Sequence, residues 1–293
     1  MTARDASPPG AGHMTDAYAP TEIARKVLDT GVVKARLPFT DTFALAVLAG
    51  AFIALGAAFS TLATTGSTMP YGITRLIAGI TFSLGLILVV IAGAELFTGN
   101  NLVAMAWASR AVTTRKVVRN WTIVYAGNMV GAVATVLLVL WSGTWMFGDN
   151  AVGQNALRIA IAKTDIGWFD AFFRGILCNA LVCLAIWLCH AGRSTTDRIL
   201  AILWPITAFV ALGFEHSVAN MYFIPMGILL RDQPGMSAGL PDPGSLGIRG
   251  FVDNLVPVTL GNIVGGTLLV AGIYWLIYLR RPTTRSDSPV QHE

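Results

Sequence analysis

The sequence predicts an all-α integral membrane protein with six transmembrane helices, arranged as an inverted repeat of three spans in which helices 2 and 5 are broken. Of its 293 residues, 54% are hydrophobic and only 12% are charged, against about 25% charged in a soluble domain. A duplicated polar motif inside two apolar regions predicts the repeat. A spanning helix needs about 20 largely apolar residues, and six regions supply them: 43–65, 76–109, 120–141, 169–189, 199–230 and 255–279.

The placement of positive charge predicts the orientation. Most of the 20 Lys and Arg residues fall in the N-terminal segment, the loops after the second and fourth spans, and the C-terminal tail. The positive-inside rule therefore places both termini in the cytoplasm. Together with the lack of an import signal, this favours a multi-pass protein of a bacterial inner membrane.

Composition divides the chain into four segments. Residues 1–20, rich in Pro, Gly, Ala and Ser, are predicted to be a disordered cytoplasmic tail, and 281–293 a second cytoplasmic tail. Residues 21–42 are predicted to carry an amphipathic helix on the cytoplasmic surface, with a solvated arm as the alternative. The membrane domain covers 43–280, with repeats of about 43–141 and 169–280 and an external loop at 235–250.

Two motifs recur in the same order in the two halves. An E-x4-N pattern runs from Glu95 to Asn100 and again from Glu215 to Asn220. A G-N-x-x-G pattern follows each of them, centred on Asn128 and then on Asn262. Since three spans are an odd number, the second unit must enter the membrane upside down relative to the first. Inverted repeats of this kind place the permeation site near the midplane, between interrupted helices.

Three ionisable residues are predicted at membrane depth: Glu95, Glu215 and His216. A charge there costs roughly 2.5–3.5 kcal/mol on insertion scales. Each glutamate has a structural explanation, because a carboxylate can accept hydrogen bonds from the N–H groups of its own broken helix. His216 can donate, accept and exchange a proton, which favours a transport role over simple packing. Thr98 offers a hydroxyl toward the same centre, unless it bonds back to its own helix.

Enzyme chemistry has little support in the sequence. The three cysteines, Cys178, Cys183 and Cys189, share one apolar span without metal-ligand spacing. The sequence contains no phosphate loop, zinc motif, catalytic triad or nucleotide fingerprint. We therefore expect no enzymatic activity, no cofactor, no metal and no nucleic-acid partner.

Three blocks of the sequence resemble the signature blocks of the formate/nitrite transporter family. They start at Ala94 (AELFTGN), Gly213 (GFEHSVANM) and Asn254 (NLVPVTLGNIVGG), and the resemblance extends over about residues 20–280. It implies an aquaporin-like six-helix protomer in the lipid bilayer, assembled as a homopentamer with one pathway per protomer.

The resemblance also implies roles for particular residues. His216 is similar to the central histidine and Thr98 to the threonine of the loop in span 2, while Lys163 resembles a vestibule lysine that attracts anions. Four polar residues are expected to keep the histidine and the loops in place: Glu215, Asn179, Asn220 and Asn262. A cytoplasmic constriction is expected at Leu86 and Phe209, and a periplasmic one at Leu96, Phe97 and Val182.

These roles lead to a hypothesis of proton-coupled or channel-like transport of small monovalent weak-acid anions, with formate first and nitrite next. An anion between two apolar constrictions loses most of its hydration, which raises its affinity for a proton. Hydrosulfide, acetate and lactate are alternative substrates. An aquaporin-like channel for neutral solutes and a membrane sensor or scaffold are alternative functions. The sequence does not determine the direction of transport, whether transport is proton symport or electrogenic flow, or whether the N-terminal segment gates the pathway.

Overall fold

The computed structural model describes residues 17–236 and 244–280. Within these ranges the chain forms helices and no strand, as the sequence predicts. The predicted C-terminal tail 281–293, residues 1–16 of the predicted N-terminal tail, and 237–243 of the predicted external loop lie outside the described residues.

Ten helices, numbered here in chain order, account for most of the described residues. They are α1 (Pro20–Arg36), α2 (Phe39–Thr64), α3 (Tyr71–Ala92), α4 (Ala104–Ala108), α5 (Thr114–Trp141), α6 (Ala151–Thr164), α7 (Trp168–Ala191), α8 (Thr195–Ala211), α9 (Ser217–Leu230) and α10 (Ile248–Tyr278). Short 3₁₀ turns cover Gly99–Val103 and Thr144–Met146, and α10 is π-helical over Gly265–Gly272.

Five helices in the described part of the chain are long and apolar enough to cross a membrane: α2, α3, α5, α7 and α10. The predicted fifth span, 199–230, is divided between α8 and α9, which have 17 and 14 residues. The predicted second span, 76–109, is divided between α3 and the short α4.

Both divisions begin with the same backbone turn. Helix α3 ends at Ala92 and α8 at Ala211, and a glycine with positive φ follows each of them, Gly93 (φ 78°) and Gly213 (φ 74°). Glycine adopts this left-handed conformation without the steric cost that a Cβ adds. The two glycines therefore let the chain leave each helix in the same way, and Glu95 and Glu215 each follow two residues later.

Helices α1 and α6 pack at opposite ends of the long helices, and we name the two sides of the molecule after them. The Asn120 side chain near the start of α5 donates to the Lys34 carbonyl of α1, whereas Asn155 of α6 donates to the Thr61 carbonyl near the end of α2. We call these the α1 side and the α6 side. Because α2 and α5 begin at the α1 side and α3 returns to it, the first break lies toward α1 and the second toward α6.

Each half is held by one pair of closely packed helices, α2 with α5 and α7 with α10. Gly131 of α5 lies against the backbone of Val47, and Gly265 of α10 lies against the backbone of Ile176. A Cβ at either glycine would overlap the carbonyl oxygen of the facing helix. Small residues at such contacts let membrane helices approach closely, and the matching contacts make the two halves structurally equivalent.

We expect Gly131→Ala and Gly265→Ala to destabilise the protein by about 1–3 kcal/mol each, because an added methyl group forces packed helices apart. Thermal unfolding in detergent would measure the loss. Gly72→Ala is the matched control, since Gly72 also lies in an apolar helix but has no atom within 4 Å of an added Cβ. Equal unfolding temperatures for all three variants would contradict the prediction.

Candidate functional site

The His216 side chain lies at the start of α9 and contacts the first break. It is 2% exposed, its Nδ1 accepts a hydrogen bond from the Ala219 N–H at 3.0 Å, and its Nε2 lies 2.9 Å from the Thr98 hydroxyl. An imidazole nitrogen that accepts a hydrogen bond carries no proton. The neutral ring therefore carries its proton on Nε2, and the Nε2–H donates a hydrogen bond to the Thr98 hydroxyl oxygen.

A buried network holds the first break to α1. The Lys34 ammonium lies 2.6 Å from the Glu95 carboxylate, and Asn100 donates to the same carboxylate at 2.6 Å. Asn100 also donates to the Asn120 side chain at 3.0 Å, and Asn120 donates back to the Lys34 carbonyl at 3.1 Å. These contacts form a closed ring of four residues that neutralises the Glu95 charge.

The second break repeats this network residue by residue. The Lys163 ammonium contacts both Glu215 oxygens, at 2.9 and 3.0 Å, and Asn220 donates to Glu215 at 2.7 Å. Asn220 donates to Asn254 at 2.7 Å, and Asn254 donates to the Lys163 carbonyl at 2.8 Å. The repeat predicted from the E-x4-N motif therefore extends to the lysine and to a second asparagine in each half.

A further asparagine satisfies the freed backbone groups of each break. Asn128 accepts from the Phe97 N–H at 2.9 Å and donates to the Ala46 and Glu95 carbonyls. In the other half, Asn262 accepts from the Ser217 N–H at 2.9 Å and donates to the Gly175 and Glu215 carbonyls. Polar backbone at membrane depth must find such partners inside the protein.

Asn179 joins the two breaks. Its amide nitrogen donates to the Thr98 carbonyl at 3.2 Å, to Asn101 Oδ1 at 3.2 Å and to the Asn262 carbonyl at 2.7 Å. The Cys183 thiol donates to the same Thr98 carbonyl at 3.5 Å. The residue that carries the hydroxyl is therefore fixed to α7 and, through Asn262, to the turn that carries His216.

The symmetry fails at the centre of the site. Counting from each glutamate, Leu96 corresponds to His216 and Thr98 corresponds to Val218. Each half contributes one polar and one apolar residue, and the two polar residues are the ones that meet. A symmetric scaffold thus carries an asymmetric centre made from both halves.

The structure changes the predicted grouping of the constriction residues. Phe209 lies near the end of α8, where its ring contacts Phe82 edge-on at 5.7 Å and lies parallel to the His216 ring at 5.9 Å. Leu86 lies one helical turn beyond Phe82 toward the α1 side, and its pairing with Phe209 in one constriction stays a prediction. The α3 ring that contacts Phe209 is that of Phe82, a residue that the sequence prediction did not include.

Leu96 lies on the α1 side of His216 and borders a cavity there. Val182 lies three residues after Asn179 on α7, in the same direction, and is buried. Phe97 does not share their position, because its ring packs edge-on against Trp121 and Tyr125 of α5. Leu86, Leu96 and Val182 therefore lie on the α1 side of the histidine, whereas the Phe97 ring packs against α5; the role of each in a constriction stays a prediction.

Lys163 lies in an ion pair that was not predicted. Its ammonium contacts the Glu215 carboxylate and its side chain is 15% exposed, while its role as a vestibule charge that attracts anions stays a prediction. Its charge is therefore balanced within the protein. Asn179, Asn220, Asn262 and Glu215 lie where polar contacts with the breaks were expected.

Three residues of the two networks were not predicted as site residues, although the sequence carries a signal for each: Lys34, Asn120 and Asn254. Asn120 and Asn254 each precede the asparagine of the G-N-x-x-G motif by eight positions. Lys34, like the predicted Lys163, lies five residues before the start of a long helix, α2 or α7. The correspondence of the two halves therefore extends beyond the two motifs.

The apolar helical fold, its two polar breaks and the His216–Thr98 contact define a membrane transport protein rather than an enzyme. A family model described as Formate/nitrite transporter matches residues 21–276, and the chain belongs to this family. The resemblance inferred from the three sequence blocks is confirmed.

Relatives and solved structures agree with this membership. The chain is 44% identical over 273 residues to "Formate channel FocA" of Escherichia coli (strain K12), covering 90% of this chain and 96% of the relative. It is 38% identical over 279 residues to "Probable formate transporter" of Methanothermobacter thermautotrophicus, covering 89% and 97%. The solved "Pentameric formate channel with formate bound" has a TM-score of 0.75 at 40% identity, covering 83% of this chain and 98% of that one.

The fold is also similar to that of an aquaglyceroporin from Plasmodium falciparum, with a TM-score of 0.52 at 16% identity over 82% of this chain and 100% of that one. This likeness concerns the fold alone. It agrees with the aquaporin-like architecture expected from the sequence resemblance.

We expect the loss of one member of the Lys163–Glu215 pair to be worse than the loss of both charges. Lys163→Met leaves a buried carboxylate without its partner, which costs about 3–5 kcal/mol. The double variant K163M/E215Q removes both charges and keeps an amide beside Asn220, so it should lose less. Thermal unfolding in detergent would compare the variants.

The matched control is Arg249→Gln, which removes one partner of the exposed Arg249–Asp253 pair. Exposed pairs contribute about 0–1 kcal/mol, so this variant should unfold close to the wild-type temperature. Equal losses for K163M and the double variant would show that the pair itself is not what stabilises the second break.

Proposed function

We propose that this chain forms a channel for small monovalent weak-acid anions, with formate as the main substrate and nitrite as the next. The observation that carries this proposal is the His216–Thr98 hydrogen bond at 2.9 Å, which lies between apolar residues on both sides. Phe82 and Phe209 lie toward the α6 side, and Leu86 and Leu96 toward the α1 side. The names of the relatives and of the formate-bound structure support the choice of substrate.

The membrane arrangement is part of the proposal. We infer that α3 and α4 form a broken second span and that α8 and α9 form a broken fifth span. With α2, α5, α7 and α10 they give six crossings, with both termini on the cytoplasmic side of the inner membrane. The α1 side is then cytoplasmic, and Leu96 borders the cytoplasmic half of the pathway rather than the periplasmic half first expected.

The solved pentameric relative supports a homopentamer with one pathway in each protomer. Large apolar side chains exposed on the single chain, such as Trp141, Phe169 and Leu138, agree with contact to lipid or to a second copy. The domain boundaries proposed from the sequence fit this arrangement, with α1 as a helix on the cytoplasmic surface.

The mechanism follows from desolvation. A carboxylate that enters the narrow apolar region loses water, and a low-dielectric environment favours the neutral acid over the anion. His216 donates to Thr98, which leaves the Thr98 hydroxyl proton free to bond an oxygen of the permeating molecule. Because His216 Nδ1 carries no proton in this geometry, we favour protonation by water that these two side chains orient.

The test is uptake of labelled formate into proteoliposomes at several external pH values. The wild-type protein should transport formate faster at acidic external pH, since inward proton and anion gradients then act together. His216→Phe should abolish this acceleration, because the ring that orients the donor is gone. A His216→Phe variant with the wild-type rate and pH profile would exclude the proposed role of His216.

Thr98→Val and Thr98→Ser separate the hydroxyl from the shape of the side chain. We expect Thr98→Val to lower the formate rate by about tenfold to a hundredfold, the effect of losing about 1–3 kcal/mol from one buried hydrogen bond. Thr98→Ser keeps the hydroxyl and should retain most of the rate.

Glycerol-driven vesicle swelling without formate flux in the wild-type protein would favour a neutral-solute channel instead.

A further inference from the structure

A cavity of about 580 Å³ lies between α1 and the first break. Its inner end is formed by Leu96, Gly99 and Asn100 of the break, and most of its wall is apolar. Five ionisable side chains border it: Asp29, Lys34, Glu95, His190 and Arg198. The cavity is much larger than a formate ion and opens beside the residues that narrow the proposed pathway on the α1 side.

Arg198 lies on the cavity wall, and its guanidinium forms no hydrogen bond or ion pair within the described part of the chain. Lys34 is paired with Glu95 at 2.6 Å. The nearest acid along the chain, Asp197, accepts hydrogen bonds from the backbone N–H groups of Arg193 and Ser194. Among residues 17–236 and 244–280, neither the Arg198 guanidinium nor the His190 imidazole has a hydrogen-bond or ion-pair partner.

The other half of the molecule provides a comparison. Arg75 lies near the start of α3 as Arg198 lies near the start of α8, and each faces the end of the opposite helix. The Arg75 guanidinium donates to the Val210 and Ala211 carbonyls, which end α8 before Gly213. Arg75 therefore holds the second break. Arg198 lines a cavity whose wall also includes Val90 and Gly93 near the end of α3, and among the described residues its guanidinium makes no such bonds.

We propose that Arg198 forms a binding subsite for small monocarboxylate anions at the α1-side mouth of the pathway, with His190 as a second donor. A planar guanidinium binds a carboxylate through two parallel N–H···O bonds. The subsite rests on the proposed function and adds a capture step to it: the anion is held at Arg198 before it passes Leu96. The Asp29 carboxylate also lines the cavity.

The first test is the concentration dependence of formate flux in proteoliposomes. We expect Arg198→Gln to raise the half-saturating formate concentration by about fivefold to tenfold, with little change in the rate at saturation. Arg198→Lys keeps the charge but not the two-pronged donor, so its increase should be about twofold. Arg193→Gln is the matched control, because Arg193 lies in the same α7–α8 turn but over the Tyr18 ring and not on the cavity wall.

A second test restores the charge chemically. In a Cys189→Ala background, which removes the cysteine that borders the cavity, Arg198→Cys is treated with methanethiosulfonate reagents. The aminoethyl reagent adds a positive charge and should lower the half-saturating concentration toward the wild-type value. The sulfonatoethyl reagent adds a negative charge and should raise it further. The Cys189→Ala protein with Arg198 intact should respond to neither.

The outcomes separate the subsite from the proposed function. If the wild-type protein transports formate and Arg198→Gln shows the wild-type half-saturating concentration, the subsite is excluded and the function stands. The same conclusion follows if Arg193→Gln shows an equal increase, because surface charge in general is then responsible. If the wild-type protein transports no formate, the proposed function itself fails.

Discussion

Two carboxylates buried at membrane depth have to be neutralised, and most of the site is built around that requirement. Glu95 and Glu215 each pair with a lysine from a helix outside the central helix bundle and each accept an asparagine amide. A buried charge without such partners would cost several kcal/mol. The pairs attach α1 and α6 to the two breaks, and the breaks in turn carry Thr98 and His216. The polar centre therefore depends on contacts that lie well away from it.

The symmetric scaffold and the asymmetric centre have separate roles. Matching asparagines, Asn128 and Asn262, satisfy the backbone groups that the two breaks leave open. This leaves the residues next to each glutamate free to differ between the halves. One half supplies a hydroxyl and the other an imidazole, so a single hydrogen bond spans the interface between the repeats.

Much of this architecture could be predicted from the sequence, because membrane helices and helix breaks have local signals. Apolar runs located the long helices, and the glutamate and asparagine spacing located the paired breaks. The ion-pair partner of a buried side chain could not be predicted in the same way. The sequence around Lys163 does not indicate that its ammonium contacts Glu215, because that contact depends on how α6 packs on α9. The ion pair between Lys163 and Glu215 was therefore not predicted.

The grouping of Leu86, Phe209 and Leu96 could not be predicted for a geometric reason. Their order along the pathway depends on the directions of α3 and α8 and on where each helix ends. Sequence spacing gives neither quantity. Hydropathy treats the region of α8 and α9 as one apolar run, and the polar interruption at Gly213–His216 lies where the structure divides it into two helices.

His216 both contacts Thr98 and caps α9. Its Nδ1 accepts the Ala219 N–H and so completes the first turn of that helix. A second proton on the ring would occupy the same nitrogen and break the cap. Charging the imidazole and loosening the start of α9 are thus one equilibrium. Any ligand that stabilised the charged ring would therefore also weaken the first turn of α9.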